Sequence, residues 1–535
     1  MSHYQNIPTT HQGYHNTDAA DNLVSRLEKG VNYGRSTLDL IRRLCQALEA
    51  ERITYCHWKS NNALDRSASG DNDLDLLVSR ADIPPFTEIL SQLGFKQAKA
   101  PVEKQLPGVL DYYGYDEAAD RLVHVHAHYQ LILGHDATKN YRLPVEQPYL
   151  ESAVQDGLFK VPAPEFEFIV LVIRMMLKHS TWDVILGGDG TLKTAERREL
   201  TYLLARINQD RVSGILKQHF PYISADLFNN CIQALQPACS AWMRMRTGLQ
   251  LQTKLQASSR RPVAVDIYLK LWRKVAWAVR RRIFKSSAKC RLESGGAMIA
   301  IVGGDGAGKS TAVDALYDWL SKYFATTRVH MGKPSWSWPT ITVRVILKIG
   351  NLLGLYPEEA SVRETLNQKS LVSPGYPWLL REICRARDRY WLYVRARRFA
   401  ANGGLVVLDR FPLPQIQLMD GPQAGPFLSQ LQLMDGPQAD QFMKPRQTSR
   451  LAQRLVKLEE SYYHQIVSPE LLTVLRVDPE IAVQRKTDED ATFVRERSTG
   501  VWELNWDYTQ AHVIDASRPQ AEVLSELKSL IWSRL

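Results

Sequence analysis

The chain has 535 residues, of which 44% are hydrophobic, and a formal net charge of +10. This length predicts two or three domains with buried cores and excludes a single small domain. The six cysteines are far apart without metal-site spacing, and no apolar run is long enough to span a membrane, so we expect a cytoplasmic protein without disulfides or structural zinc. Residues 1–34 lack the apolar segment of a signal peptide and are expected to form a mobile polar tail.

The predicted first domain, residues 35–158, has an α+β pattern. Helical spacing in STLDLIRRLCQALEAERI precedes a short apolar strand, TYCHW, and SASGDNDLDLLV ends in a second strand. The alternation in RLVHVHAHYQL predicts another half-buried strand. Apolar residues then recur at helical spacing, which predicts a helical extension over residues 159–257.

Two carboxylates of this first domain alternate on one face of an extended segment. Asp73 and Asp75 are therefore expected to hold Mg²⁺ against a triphosphate. The stretch HWKSNNALDRSASGDNDLDLLV resembles the nucleotidyltransferase superfamily, which implies that Ser60 contacts phosphate and that a third acidic ligand lies on a later strand. That strand offers His124 and His126, which are weaker Mg²⁺ ligands than carboxylates, and the alternative is a hydrogen-bonded or exposed role for both.

A strongly basic segment follows, and we predict an amphipathic linker helix within residues 258–296. Residues 260–291 contain eleven Lys or Arg and one acid, a net charge of 11 − 1 = +10, so the rest of the chain is neutral. Basic side chains lie on one face of the helical wheel and apolar ones on the other. The favoured interpretation is a connector that packs its apolar face on a domain, and the alternative is peripheral contact with an anionic membrane or a partner. No recognition module indicates a nucleic acid.

The C-terminal region, residues 297–535, alternates short apolar strands with helical stretches. The candidate strands are MIAIVG, TTRVHMG, GLVVLD, LLTVLRV and AHVIDA. This alternation predicts an α/β domain with a parallel sheet and helices on both faces.

The first of these strands leads into GGDGAGKST, which fits the phosphate-binding pattern G-x-x-x-x-G-K-S and opens a helical stretch. Its glycines allow successive N–H groups to converge on phosphate at the helix N-terminus. Lys309 is expected to reach the β- and γ-phosphates, and Ser310 to ligate Mg²⁺. The predicted ATP-binding residues are Gly303, Gly304, Asp305, Gly306, Ala307, Gly308, Lys309, Ser310 and Thr311.

The C-terminal region resembles thymidylate kinases over residues 298–535, through GGDGAGKST, RARDRYWLYVRARRFAANGGLVVLDRF, LLTVLRVDPEIAVQRK and VIDASRPQAEVLSEL. The resemblance implies a nucleoside monophosphate kinase-like fold and allows a dimer, while the oligomeric state stays open. It implies that Asp409 lies near Mg²⁺, that Arg410 holds the acceptor phosphate, and that Asp305 helps to orient acceptor and metal. Arg387 or Arg389 is implied as a further residue of the acceptor site.

The catalytic arginine of such a kinase is expected from a lid, because the phosphate-binding loop has Ala307 and no arginine. RKTDEDATFVRERS follows the strand LLTVLRV, where the resemblance places the lid, and it contains Arg495 and Arg497. Arginines there would neutralise the charge of the transferring phosphoryl group. The alternative is a solvated charge run, because the segment also contains several acids.

The segment after Arg410 differs from the pattern of thymidylate kinases, and within it QLMDGPQA occurs at residues 417–424 and again at 432–439. We interpret the repeat as a duplication in a surface loop, with a substrate-side flap as the alternative.

The sequence as a whole predicts an ATP- and Mg²⁺-dependent kinase that phosphorylates a phosphorylated small molecule, by default a nucleoside monophosphate such as thymidylate. One alternative is a kinase for a sugar or lipid-linked precursor. The other is a nucleotide-dependent switch or scaffold that docks on a membrane or partner through its basic helix.

Overall fold

The computed structural model describes residues 37–181, 191–283, 289–355, 376–413, 450–507 and 509–535. The predicted tail at 1–34 and the repeated segment at 417–424 and 432–439 lie outside them. Contacts between Cα atoms divide the chain into two compact units. The first contains the described residues up to Leu93 together with residues 106–109 and 121–267, and the second contains residues 94–105, 110–120 and 268–535.

Both strands and helices are present, as the sequence predicts. The strands are β1 (Tyr55–His57), β2 (Leu74–Val78), β3 (Lys96–Lys99), β4 (Val109–Asp116), β5 (Arg121–His128), β6 (Leu131–Leu133), β7 (Tyr141–Leu143), β8 (Val154–Asp156), β9 (Phe159–Val161), β10 (Arg291–Leu292), β11 (Ala297–Gly303), β12 (Thr326–His330), β13 (Leu405–Asp409), β14 (Leu471–Arg476) and β15 (Ala511–Asp515). The α-helices are α1 (Asp39–Ala50), α2 (Leu64–Ala68), α3 (Ile83–Gln92), α4 (Glu146–Glu151), α5 (Pro164–His179), α6 (Thr194–Leu204), α7 (Gln209–His219), α8 (Ala225–Ala234), α9 (Ala241–Lys254), α10 (Val263–Arg282), α11 (Lys309–Ser321), α12 (Trp338–Leu352), α13 (Tyr376–Ala401), α14 (Arg450–His464), α15 (Pro479–Arg485), α16 (Ala491–Trp502) and α17 (Gln520–Arg534).

The first unit combines a small sheet with a helical core. In the sheet, β2 pairs antiparallel with β1 and parallel with β5, and Asp75 stands opposite His126. The core is centred on α5, which is apolar around most of its circumference and therefore buried along most of its length. It contacts α6, α7, α8 and α9, the helices of the predicted helical extension.

The second unit contains the predicted parallel sheet, in the order β12-β13-β11-β14-β15. Every residue of its central strand, β11, is buried. A parallel strand that is covered on both faces has a nearly continuous apolar sequence, which is the pattern of AMIAIVG and LVVL. The parallel α/β architecture predicted from the sequence is therefore confirmed.

An antiparallel segment from the N-terminal half of the sequence belongs to this second unit. Strand β3 pairs with β4 and with β10. Tyr113 and Tyr115 of β4 lie with their rings 4.9 Å from Phe324 and 5.2 Å from Trp319, measured between centroids. Trp532 of α17 donates a hydrogen bond of 2.9 Å to the carbonyl of Gly94. Burial of these aromatic rings explains why residues 94–105 and 110–120 cluster with the C-terminal sheet.

The basic helix α10 has no buried residue. Most of its large apolar side chains, Trp272 and Trp277 among them, are 38% to 65% exposed. Near its end, Arg280 forms an ion pair of 2.8 Å with Glu103. The packing of the apolar face that the connector interpretation requires is therefore not found among the described residues. Within the described part of the chain, every helix is too short or too polar to cross a bilayer.

Candidate functional site

The glycine-rich loop leaves the carboxyl end of β11 and continues directly into α11. Strands β12 and β13 lie on one side of β11, and β14 and β15 lie on the other. In such a sheet, the carboxyl ends of the strands around the point where the strand order reverses form the usual ligand crevice. Gly308 is the N-cap of α11. Lys309 is the first residue of the helix, and the two side chains that follow it, Ser310 and Thr311, are exposed. The N–H groups of the first helical turn are thus available for an anion.

Two glycines of this loop are required by close backbone contacts. A Cβ atom at Gly303 would lie 2.4 Å from the carbonyl oxygen of Leu475 in β14. At Gly306, where φ is +76°, a Cβ atom would lie 2.7 Å from the carbonyl oxygen of Ala482 in α15. A larger residue at either position would have to displace backbone atoms, so the loop shape depends on glycine here.

Lys309 lies inside the loop and is 9% exposed. Its Nζ atom donates a hydrogen bond of 2.6 Å to the carbonyl of Gly304 and lies 3.9 Å from Oδ1 of Asp305. Burial lowers the pKa of Lys309 to about 8, and the neighbouring Arg410 and Arg497 act in the same direction, against Asp305. A bound phosphate would stabilise the ammonium form of this side chain.

Asp409 and Arg410 lie at the carboxyl end of β13, beside the strand that carries the loop. The backbone N–H of Arg410 donates to the carbonyl of Ile301 over 3.1 Å. Oδ1 of Asp409 is buried and has no hydrogen-bond partner among the described residues. Arg410 has φ of +68°, a left-handed conformation that costs about 1–3 kcal/mol outside glycine and is concentrated at functional sites. A carboxylate oxygen without a hydrogen-bond partner is a suitable ligand for a hard cation such as Mg²⁺.

The two arginines that the sequence predicts for a lid have different environments. Nη1 of Arg497 donates a hydrogen bond of 2.8 Å to Oδ2 of Asp305, and its guanidinium lies 5.0 Å from the ring centroid of Phe493. Arg495 instead forms a bidentate ion pair with Glu480, at 2.7 and 2.9 Å, on the surface. The structure therefore brings Arg497, but not Arg495, to the phosphate-binding loop.

The two arginines suggested for the acceptor site bind protein groups. Arg387 in α13 donates to the hydroxyls of Ser337 and Thr340, at 2.6 and 3.1 Å. Arg389 is buried and donates to the carbonyl of Met331 over 2.8 Å and to the hydroxyl of Tyr463 over 2.5 Å. Burial raises the pKa of Tyr463 to about 12, so this phenol is neutral at ordinary pH. The hydrogen bond from Arg389 to the carbonyl of Met331 holds the turn that follows β12 against α13.

Sequence reasoning did not single out His330, the last residue of β12. It stands opposite Asp409 in the parallel register, and its Nε2 lies 4.0 Å from Oδ2 of that residue. Nδ1 accepts a hydrogen bond from the N–H of Gly332, so the neutral ring carries its proton on Nε2. The only sequence signal for His330 is its position at the end of a strand in a parallel sheet.

In the first unit, the expected Mg²⁺ carboxylates have nitrogen neighbours. Asp73 lies 3.0 Å from Nδ1 of His124. Oδ1 of Asp75 lies 2.7 Å from Nζ of Lys59 and 3.4 Å from Nδ1 of His126. Burial disfavours ionisation of Asp75, but the charge of Lys59 and the two nearby imidazoles outweigh it and hold the pKa of this carboxyl well below its usual range.

Ser60 has φ of +60°, so it occupies a left-handed turn between β1 and α2. Its backbone N–H donates to Oε1 of Glu199 over 2.9 Å. The turn N–H that a phosphate would use is therefore bound to a carboxylate here.

Comparison with known proteins gives remote similarity only. No family model matches the chain. The chain is 27% identical over 240 residues to the uncharacterized ATP-binding protein YghR of Escherichia coli strain K12 and to the protein of the same name from strain CFT073. The aligned residues make up 44% of this chain and 86% of each relative. A solved thymidylate kinase from Candida albicans shares 17% identity, with a TM-score of 0.25, over 44% of this chain and 91% of that protein, which is too weak to support a conclusion. The parallel sheet, with a loop of the pattern G-x-x-x-x-G-K-S at its centre, has the arrangement of a P-loop nucleotide-binding fold.

Proposed function

We propose that the protein is an ATP- and Mg²⁺-dependent kinase that transfers the γ-phosphoryl group to a phosphorylated small molecule. The observation that carries the proposal is the convergence of Lys309, Asp305 and Arg497 on the glycine-rich loop, beside the unpaired carboxylate oxygen of Asp409. The relatives that are named as ATP-binding proteins support ATP as the donor. A nucleoside monophosphate such as thymidylate is the default acceptor.

Each residue has a distinct proposed role. The N–H groups of the loop and Lys309 hold the donor phosphates. Ser310 and Asp409 would hold Mg²⁺, which supplies neutralisation of phosphate charge. Arg497 closes over the loop and stabilises the charge that spreads over the phosphoryl oxygens during transfer, and Asp305 positions its guanidinium.

The acceptor phosphate is assigned to Arg410, because it leaves β13 next to the loop in a strained conformation. Arg387 and Arg389 are proposed to position the acceptor side rather than to bind it, since their guanidinium groups already hold protein oxygens. A sugar phosphate or a lipid-linked precursor is the alternative acceptor.

The test is ADP release by the full chain with ATP and Mg²⁺, across nucleoside monophosphates and sugar phosphates. We expect one acceptor class to raise the rate, and Lys309→Ala to abolish the increase. Slow ADP release that is indifferent to every acceptor, and that Lys309→Ala also removes, would argue against a kinase and for a nucleotide-dependent switch.

A second candidate role, attachment to an anionic membrane surface, is favoured by the exposure of α10. The helix presents Trp272 and Trp277 among exposed apolar side chains, and basic residues in its last turn, Arg280, Arg281 and Arg282. A helix with these two faces matches the interface of an anionic bilayer, where rings insert at headgroup level and cations meet acidic lipids. We propose such a bilayer as the occupant of this face.

Co-sedimentation of the full chain with phosphatidylserine-containing vesicles tests the attachment. Reversal of the three arginines to Glu is expected to weaken binding by at least about thirtyfold, since Arg281 and Arg282 each contribute about 1 kcal/mol near an anionic surface, while Arg280 is already paired with Glu103. The matched control reverses three exposed basic residues elsewhere, Arg211, Lys217 and Lys254. The attachment would be refuted if both triple variants bound the vesicles equally well. It would also be refuted if the unaltered chain bound uncharged vesicles as well as those that contain phosphatidylserine.

A further inference from the structure

Three potential metal ligands converge on one face of the sheet in the first unit. Because β2 and β5 are parallel and Asp75 stands opposite His126, the side chains of Asp75, His126 and His128 lie on the same face. One ligand atom from each of these residues lies within 4.8 Å of the other two. The site combines one carboxylate and two imidazoles.

The spacing between these atoms approaches that of a coordination sphere. Oδ1 of Asp75 lies 3.4 Å from Nδ1 of His126 and 3.7 Å from Nε2 of His128. Neighbouring ligands of a tetrahedral zinc ion, with bonds of about 2.0–2.1 Å, are separated by about 3.3–3.4 Å. The ligand atoms of the two histidines lie within 4.8 Å of each other, so movement of Asp75 and His126 toward His128 would place all three atoms around one ion.

His128 supplies an independent observation. Its Nε2 is buried and lacks a hydrogen-bond partner among the residues that the structure describes, and at 3.7 Å from Asp75 it is beyond hydrogen-bond distance. A buried ring nitrogen without a partner is costly unless something binds it. The ring itself is held edge-on to Trp58, at 5.0 Å between centroids, so its orientation is fixed by packing.

We propose that Asp75, His126 and His128 form a binding site for a divalent transition-metal ion such as Zn²⁺. Imidazole nitrogens suit Zn²⁺, Co²⁺ and Ni²⁺, whereas Mg²⁺ requires an octahedron of oxygens. The site therefore discriminates against the Mg²⁺ that the sequence alone predicts at Asp73 and Asp75. With three protein ligands, a fourth position stays open for water or an anionic ligand, as in catalytic rather than structural zinc sites.

The ammonium group of Lys59 competes with a metal ion for Asp75. It lies 2.7 Å from Oδ1 of Asp75, the same oxygen that the metal would use. The ammonium has to move away when a metal ion binds, and its flexible stem allows this movement. Lys59→Met, which keeps the stem and removes the charge, is therefore expected to tighten Zn²⁺ binding by at least about threefold.

The test measures metal binding to the full chain and does not depend on kinase activity. The chelator-stripped protein is titrated with Co²⁺, followed by visible absorption, and then with Zn²⁺ against a chromophoric chelator. We expect one high-affinity ion per chain, the absorption of tetrahedral Co²⁺, and no competition by excess Mg²⁺. Asp75→Asn, His126→Gln and His128→Gln are each expected to weaken Zn²⁺ binding more than about tenfold, because loss of a ligand exceeds loss of an outer-shell partner.

The control variant is His464→Gln, which changes an exposed histidine of α14 and is expected to bind Zn²⁺ like the unaltered chain. Circular dichroism verifies that each variant is folded. His126→Gln decides the question if the more buried His128→Gln does not fold, because the side chain of His126 is 24% exposed. Absence of Zn²⁺ binding, unchanged affinity in His126→Gln, or displacement by Mg²⁺ would overturn the proposal.

Discussion

The charge state of Lys309 makes nucleotide binding dependent on pH. Burial, with the help of Arg410 and Arg497, lowers the pKa of its ammonium to about 8 in the free protein. Donor phosphates would surround the same ammonium with negative charge and raise its pKa. Nucleotide binding should therefore take up a proton at pH values above about 8, and affinity should fall as pH rises through this range.

The size of the effect follows from this pKa. With a pKa of about 8, roughly nine-tenths of the Lys309 side chains are charged at about pH 7 and roughly one-tenth at about pH 9. If only the charged form binds tightly, affinity falls about tenfold across this interval, or ~1.4 kcal/mol. At about pH 8, binding should take up about half a proton per nucleotide.

Isothermal titration calorimetry with ATP and Mg²⁺, in two buffers of different ionisation enthalpy, measures this proton uptake. The control is Lys309→Arg, whose guanidinium stays charged across the whole range, so its affinity should not depend on pH there. The phosphates of ATP add no uptake, because a phosphate ester titrates near pH 6. Equal proton uptake in the variant and the unaltered chain, or no uptake in either, would refute the role given to Lys309.

Three further changes test the second unit. Gly306→Ala should lower the free energy of unfolding by about 2–4 kcal/mol in thermal denaturation, because its Cβ meets Ala482. Gly500→Ala, with open space around its Cβ in helix α16, should instead raise it by about 0.5–1 kcal/mol. Arg497→Met should lower kcat about a hundredfold or more in the ADP-release assay, because it removes the guanidinium at the loop. Arg495→Met breaks only an exposed ion pair and should change kcat less than about threefold. A larger loss of kcat in Arg495→Met than in Arg497→Met would contradict the lid assignment. Trp532→Ala should cost about 3–5 kcal/mol in urea unfolding, since the ring is buried against Tyr115, Trp319 and Phe324, and a loss below about 1 kcal/mol would contradict that packing.

The sequence contains enough information for the strands of the second unit. MIAIVG and GLVVLD correspond to β11 and β13 because strands buried on both faces are apolar without interruption. The loop after β11 is equally predictable, because the pattern G-x-x-x-x-G-K-S between an apolar strand and a helical stretch is a local signal. The boundaries of the predicted domains stay predictions.

Contacts between distant segments are not visible in the sequence. Nothing local shows that β5 lies beside β2, and only that adjacency brings His126 and His128 to Asp75. The spacing of Arg495 and Arg497 likewise does not reveal which of them faces the loop, because the answer depends on the separate positions of Glu480 and Asp305. Side-chain partners of this kind are set by tertiary packing rather than by local pattern.

The hydrogen bond from Trp532 to Gly94 joins residues separated by 438 positions. During synthesis the segment around Gly94 leaves the ribosome long before its partner helix α17 exists, so the side of the Tyr115 ring that Trp532 contacts stays uncovered until then. Closing so long a stretch of chain is slow, and it can happen only after α17 has been translated. The second unit is therefore expected to complete its packing late in synthesis and to need chaperones until then.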